Sequence, residues 1–314
     1  YTSFLDFPLA RRRHHWFIGL MPLAAWNLNL GDQYDLIISV GAGYAKGIRY
    51  KPPTKHIHYC LSPLRYAWET DYLKIKLPLL TAYSLWLIAI YHRWWDYRAG
   101  QKPDVILADS KFIAAKIKKY YNRDAEVLYP PLYLNSKFEI RNSKLPKTYF
   151  LAVGRLLDYK RFDLVIDAFN QLDWPLKIIG IGPDYKKLRQ MARSPRIEFL
   201  GFVSDEELVR LYSGARALIF PQVEDYGLVP AEAIACGCPV IAYAAGGALE
   251  TVAEGKTGFF FYQQTAPAII DAVKKFQGLK IKDAPASSLH NFQEKLQSQI
   301  RSLINNGDRN QRTI

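Results

Sequence analysis

Glu224 and Glu232 stand with seven residues between them, inside the stretch Pro221-Gln-Val-Glu-Asp-Tyr-Gly-Leu-Val-Pro-Ala-Glu-Ala-Ile-Ala-Cys-Gly237. Two carboxylates that bracket a glycine-led turn can accept hydrogen bonds from the hydroxyls of a sugar-like ligand. Pro230 suits a first helical position, where its fixed φ and missing N–H cost nothing, and Gly237 suits the residue just past a helix end. The helix is therefore expected from about Pro230 to Cys236. The apolar run Ala217 to Phe220 before it reads as a buried strand, so Glu224 to Val229 falls on a strand-to-helix loop. In an open α/β sheet that edge is where ligands bind. The amides of Gly227, Leu228 and Val229 would then meet an anion such as a phosphate at the helix start. Glu232, in the first turn, comes within reach of ring hydroxyls, and Glu224 faces whatever the phosphate carries. The plainer alternative is a pair of solvated charges near a helix N-terminus.

A second group of chemistry-bearing residues follows the strand Thr148 to Val153, in Gly154-Arg155-Leu-Leu-Asp-Tyr-Lys160-Arg161. Arg155 and Lys160 lie at the same carboxyl edge and could clamp a diphosphate, the guanidinium by a fork of N–H donors and the ammonium as a point charge. Gly180-Ile-Gly182 would let backbone approach a nucleotide closely, although a lone G-x-G is a weak signal. Gly246-Gly247 opens another loop before a helix expected over 248–253. No Asp-x-Asp pair falls on these loops, and no metal site is expected. Cys236 and Cys238 form a C-x-C beside a glycine rather than a spaced ligand set, and the three cysteines read as reduced structural thiols.

The elements that must position these groups alternate. Strands are expected at Thr148–Val153, Leu176–Ile179, Ile197–Leu200, Ala217–Phe220 and Val240–Tyr243, with helices between, which describes a doubly wound parallel sheet. Ser204-Asp-Glu-Glu207 is a capping box for the helix that ends near Ser213. In the first half, Tyr34–Val40 and the run from Pro103 to Asp109 read as strands, and Ser110 caps a helix from Lys111 to Tyr121. Residues 132–147 have the polar, basic composition of a linker. The domains are thus placed at 1–135 and 136–275, with 276–314 as a helix returning towards the first domain and a polar tail.

The order E-D-Y-G-L-V-P-A-E-A-I-A-C-G followed by P-V-I-A, together with the G-R-x-x-x-x-K spacing, resembles the retaining nucleotide-sugar glycosyltransferases of family 4. The segment Tyr59-Cys-Leu-Ser-Pro-Leu-Arg65-Tyr is similar to the Y-C-H-T-P-x-R-Y motif of its mannosyltransferase-like branch, with Leu61 where the family has histidine. The resemblance implies the GT-B architecture, two facing Rossmann-like doubly wound domains, the first acceptor-side and the second donor-binding. It implies that Arg155 and Lys160 hold the donor diphosphate, with Gly154 on the same loop, and that the amides of Gly227, Leu228 and Val229 assist. It also implies that Glu232 grips the ribose, Phe202 and Val203 lie at the base, Arg65 faces the cleft, and Glu224 orients the sugar and supports positive charge there. The implied activity is metal-independent transfer of a hexose, mannose being one candidate, with retention at the anomeric carbon. The donor, GDP-mannose or a UDP-hexose, is a substrate rather than a cofactor, and the acceptor is a glycan or polyprenyl-linked glycan in surface polysaccharide synthesis. The family's first strand and glycine-rich loop have no counterpart after Tyr1, so the first domain is expected to lack its opening βα unit, and nucleotide binding is expected without efficient transfer. A nucleotide-sugar epimerase, a phosphorylase, or a degenerate binder of nucleotide or membrane remain alternatives on the same architecture.

Composition narrows the partners. The 314 residues carry a formal net charge of +13 and are 49% hydrophobic, ample for two packed cores beneath a surface that favours anions. Without a nucleic-acid motif and with dispersed basic residues, nucleic acid ranks last. His56 and His58 read as strand or loop residues, or as stand-ins for the family histidine. The run Leu77 to Ile90 is apolar nearly all round but too short to span a bilayer. With Lys74 and Lys76 before it and His92, Arg93, Trp94 and Trp95 after it, it is either a buried domain helix or an interfacial one on an anionic membrane. No signal peptide is expected, and the expected location is cytoplasmic, peripheral on the inner face of the membrane if that helix docks.

Overall fold

The computed structural model describes residues 2–69, 79–132, 146–281 and 289–311. The chain divides into two compact units, Tyr1–Pro130 with His290–Ile314, and Pro131–Leu289.

The first unit holds the parallel strands β1 (Leu36–Ala42), β2 (Lys55–Ser62), β3 (Val105–Ala108) and β4 (Glu126–Val127), side by side in that order. Its helices are α1 (Pro8–Arg12), α2 (Met21–Asn27), α3 (Arg65–Trp68), α4 (Leu79–Gly100) and α5 (Lys111–Tyr121). α5 starts as expected, with the Ser110 hydroxyl accepting the Ile113 amide at 3.1 Å. Its Ile113, Ile117 and Tyr121 pack on Cys60, Ile106 and Ala108 from one sheet face. Side chains alternate across a strand, so Ile57, Tyr59 and Leu107 emerge on the other face. α4 runs well past the apolar stretch seen in the sequence, because Asp96 is a buried partner rather than a solvated charge. Its carboxylate pairs with fully buried Lys46 at 2.6 Å and accepts from the Trp68 indole (2.7 Å) and the Tyr121 hydroxyl (2.8 Å). Among the described residues no helix is long and apolar enough to cross a membrane.

The second unit contains β5 (Tyr149–Val153), β6 (Leu176–Ile179), β7 (Ile197–Gly201), β8 (Ala215–Phe220), β9 (Val240–Tyr243) and β10 (Gly258–Phe261). All ladders are parallel, in the order β7-β6-β5-β8-β9-β10, so the direction of winding reverses between β5 and β8. The helices are α6 (Phe162–Phe169), α7 (Tyr185–Met191), α8 (Asp205–Gly214), α9 (Leu228–Ala235), α10 (Ala248–Thr251) and α11 (Ala266–Lys275). One core joins Phe150, Val165, Phe169, Ile219 and Ile269; the other joins Leu151, Tyr212, Leu218, Ile234 and Val240. Both faces of the sheet are covered, which is why its strands read as continuous apolar runs.

Phe276 packs into the first of these cores, so the second unit continues beyond 275. The chain then closes with α12 (Leu289–Gln311), whose Phe292, Leu296, Ile300 and Leu303 recur at helical spacing and cover Ile57, Tyr59, Leu107 and Leu128 of the first unit. Lys74, Lys76 and most of the expected linker lie outside the described residues.

Candidate functional site

Reversal of winding between β5 and β8 leaves a crevice at their carboxyl ends, and both charged loops identified in the sequence emerge there. After β5 the chain enters Gly154 and Arg155 and tightens into a 3-10 turn over Asp158–Lys160. After β8 it runs through Glu224 to Gly227 and into α9. The two loops meet at Lys160 Nζ and Glu224 Oε1, which form an ion pair at 2.5 Å with side chains 13% and 19% exposed. Arg155 is exposed, and among the described residues its guanidinium makes no ion pair. Arg161, although adjacent to Lys160, is committed to Asp163 through two contacts of 3.1 Å and reaches Gln264 at 3.4 Å. Gln264 in turn donates to the Pro221 carbonyl at 2.8 Å, tying the two loops together from the side.

α9 differs from its expected bounds. It begins at Leu228, two residues before Pro230, because Gly227 takes φ 88°, a left-handed conformation natural to glycine, and turns the chain directly into the helix. Proline remains acceptable there, since no N–H in the first turn has an intrahelical acceptor. No side chain caps this end, which leaves the first-turn amides available to an anion. Glu232 is consequently two residues further from the helix start than the sequence suggests, in the second turn rather than the first. Burial pushes its pKa up, and the Tyr212 hydroxyl donates to its Oε2 at 3.5 Å. Glu224 is anchored through its main chain, whose carbonyl accepts the Gly247 amide at 2.8 Å.

The G-x-G after β6 has a packing cause. A Cβ at Gly180 would lie 1.8 Å from the Gly154 carbonyl oxygen, and one at Gly182 would lie 2.2 Å from the Leu156 carbonyl oxygen. The loops after β5 and β6 therefore touch backbone to backbone. Between those glycines Ile181 is 61% exposed, and at the end of β7 Phe202 is 83% exposed while Val203 packs inward. Ile181 and Phe202 form an apolar flank at the carboxyl edge.

Arg65 belongs to the first unit, on α3 after the carboxyl end of β2, and is half-buried. Leu61 packs against the cluster that α12 covers. His56 and His58 are fully buried and share the Ser39 hydroxyl, at 2.7 and 2.9 Å, so they serve the strand pairing rather than a site. Cys236 and Cys238 are buried, which pushes both thiols up to about 12 and makes them inert. Among the described residues no group of three or more His, Cys, Asp and Glu side chains could hold a metal ion.

Tyr212 and Ile181 carry no site signal in the sequence. Tyr212 lies on the apolar face of α8 and looks like core, which it also is; Ile181 was hidden by the glycines beside it.

Residues 135–312 match the family described as glycosyl transferases group 1. Similar proteins include the human alpha-1,3/1,6-mannosyltransferase ALG2, 30% identical over 52% of this chain and 47% of its own length. Another is the GDP-mannose-dependent alpha-(1-6)-phosphatidylinositol monomannoside mannosyltransferase of Mycolicibacterium smegmatis, 29% identical over 56% and 53%. The chain spans about half the length of the curated relatives it matches. In structure it is similar to sucrose-phosphate synthase from Thermosynechococcus elongatus, with a TM-score of 0.66, 18% identity and coverage of 86% and 74%. Anabaena HepE, solved in complex with UDP, gives a TM-score of 0.62 at 16% identity over 91% and 82%. These likenesses show the GT-B type of fold, two parallel-sheet α/β units. Because the family match spans more than half of the sequence and includes both charged loops, this chain belongs to the group 1 glycosyltransferases.

Proposed function

We propose that the crevice at the carboxyl ends of β5 and β8 takes the diphosphate of a nucleotide sugar, and that the protein transfers the hexose to a glycan or lipid-linked acceptor with retention. The observation that carries this is the meeting of Lys160 and Glu224 at the point where the sheet reverses. A breaking glycosidic bond leaves negative charge on the diphosphate. Arg155, Lys160 and the uncapped amides of α9 are the donors that this edge offers to that charge, and such donors lower the barrier by stabilising the transition state more than the ground state. Two cations and a helix start can do this without a divalent ion. Glu224, from the opposite loop, accepts hydroxyl hydrogen bonds of the hexose and supports positive charge at the anomeric carbon. Glu232 suits the ribose, and the apolar flank of Ile181 and Phe202 suits the base. Mannose is favoured among hexoses by the resemblance to mannosyltransferases.

The first unit supports the acceptor side. α4 exposes Trp86, Leu87, Ile90, Tyr91, Trp94 and Tyr97, and Arg98 lies 5.7 Å from the Trp94 ring centre. With a net charge of +13, that face suits an anionic membrane carrying a lipid-linked acceptor.

The deciding experiment is incubation with GDP-mannose, UDP-glucose and UDP-galactose, with excess chelator, against a panel of glycan and polyprenyl-linked acceptors, with products read by mass spectrometry and anomeric configuration by NMR. A new α-linked product formed in chelator is expected. Conversion of donor without acceptor, a requirement for free phosphate, or dependence on added magnesium or manganese would each count against this reading. Sedimentation with phosphatidylserine-containing vesicles, weakened by salt and absent with neutral ones, is the expected result for α4.

A further inference from the structure

The ammonium assigned to the donor phosphate already has a partner, since Lys160 lies 2.5 Å from the Glu224 carboxylate with both side chains largely buried. We infer that this ion pair is an exchange element, one that makes the site favour an intact nucleotide sugar over the nucleoside diphosphate left after transfer. The inference rests on the donor-diphosphate reading above and adds to it a means of expelling the product.

Each part of the exchange has a place in the geometry. The Lys160 stem runs beside Gly154, where a Cβ would lie 3.5 Å from its Cδ, so the ammonium stays over the crevice when its partner changes. Arg161 cannot take over the role, being held by Asp163. The Glu224 carbonyl is fixed by the Gly247 amide, so the carboxylate can turn from Lys160 while its main chain stays in place. An arriving diphosphate competes with that carboxylate for the ammonium. Once displaced, Glu224 is a largely buried anion beside another anion, a costly arrangement unless new donors reach it. The hexose of an intact donor supplies hydroxyl donors and restores a partner to Glu224. A nucleoside diphosphate supplies none, so loss of the sugar returns Glu224 to Lys160 and loosens the product. Exposed Arg155 provides the first capture without a pair to break.

The experiment is calorimetry of the full chain with UDP, GDP, UDP-glucose and GDP-mannose, without acceptor, on wild type, Glu224→Gln, Lys160→Met and the double variant. For whichever nucleotide binds, Glu224→Gln should tighten the nucleoside diphosphate about tenfold and the nucleotide sugar much less, so that the preference for intact donor collapses. In the Lys160→Met background the same substitution should give no such gain. Glu224→Asp, with a shorter arm that loosens the pair, should also tighten the diphosphate and serves if the amide disturbs the loop. Unchanged or weaker diphosphate binding in both Glu224 variants overturns the exchange. A gain that persists undiminished without Lys160 also overturns it, because simple repulsion between Glu224 and phosphate would then explain the effect. Binding of none of the four compounds by any variant overturns the donor-diphosphate reading itself and the exchange with it.

Discussion

Arg155, Lys160 and Arg161 occupy one short loop, yet their surroundings assign them different work. Arg155 is exposed and makes no ion pair among the described residues, Lys160 is held by Glu224, and Arg161 is held by Asp163 and Gln264. A cation without a protein partner gives up no existing contact on meeting a phosphate, so the whole of its charge-assisted hydrogen bonding appears as affinity. Arg155→Ala is therefore expected to weaken nucleoside diphosphate binding by about 1.5–3 kcal/mol, with the loss shrinking as salt rises because the site is open to solvent. Arg161→Ala should instead release Asp163 and lower the melting temperature while changing affinity little. Calorimetry and thermal unfolding on the same two variants check both statements. If Arg161→Ala proves the stronger affinity loss, the clamp has been assigned to the wrong residue.

At the scale of elements, the loops of the site are placed by contacts between backbones more than by their own side chains. The Gly180 position sits against the Gly154 carbonyl, so Gly180→Ala forces apart the two loops that carry the crevice. The expected result is a stability loss of about 1–3 kcal/mol together with weaker nucleotide binding, even though the added methyl touches no ligand. Gly201→Ala is the control. It too has a positive φ, 70°, but open space around it, so it should cost stability without loosening the site. Calorimetry and denaturant unfolding separate the two. The same contrast explains what the sequence disclosed. β6 and β9 were legible to the residue because they are short apolar runs between turn residues, and α5 and α8 because Ser110 and Ser204 announce their caps. The start of α9 is not legible in the sequence, because Pro230 is a loud helix signal, whereas the backbone turn at Gly227 that begins the helix depends on the packed loop around it. α4 was cut short for a different reason: Asp96 and His92 look like solvent-facing residues in a string of letters and are fully buried in the fold. β10 and α11 have weaker signals, although Thr265 caps α11, accepting the Ala268 amide at 3.4 Å. Of the site, the carboxyl-edge position of Glu224, Arg155 and Lys160 was legible from alternating strands and helices. The pairing of two of them was not, since it depends on which strands become neighbours.

For the whole molecule, all six histidines fall in the first unit and none in the second, so acid should act on the two units unequally. Burial holds His56 at about 4 and His58 well below its ordinary value. Around His56 the charged neighbours are Asp104, which favours the proton, and Lys102, which opposes it; around His58 the opposing charge is Lys46. Above pH 6.5 both histidines are neutral whether the unit is folded or not, and they contribute nothing to pH dependence. Below 6.5 the unfolded chain takes up protons that the folded unit refuses, so stability falls as pH drops, until His56 itself titrates near 4. A tenfold difference in proton affinity is worth about 1.4 kcal/mol, and His56 alone should then remove about 3 kcal/mol across that window. In the second unit the buried Glu232 has the opposite sign, because a carboxyl whose folded pKa is raised takes its proton more readily when folded, and acid does not weaken the unit through it. Tryptophan emission can follow the first unit, which contains Trp16, Trp26, Trp68, Trp86, Trp94 and Trp95, against Trp174 in the second. Urea midpoints read this way should begin to fall near pH 6.5 and keep falling to pH 4, whereas nucleoside diphosphate binding by the second unit should outlast the change in emission. His56→Asn should flatten the profile whatever it does to the midpoint at pH 7. A midpoint that stays level between pH 7 and pH 4, or a profile equally steep in His56→Asn, would show that the buried histidines are not what ties this unit to neutral pH.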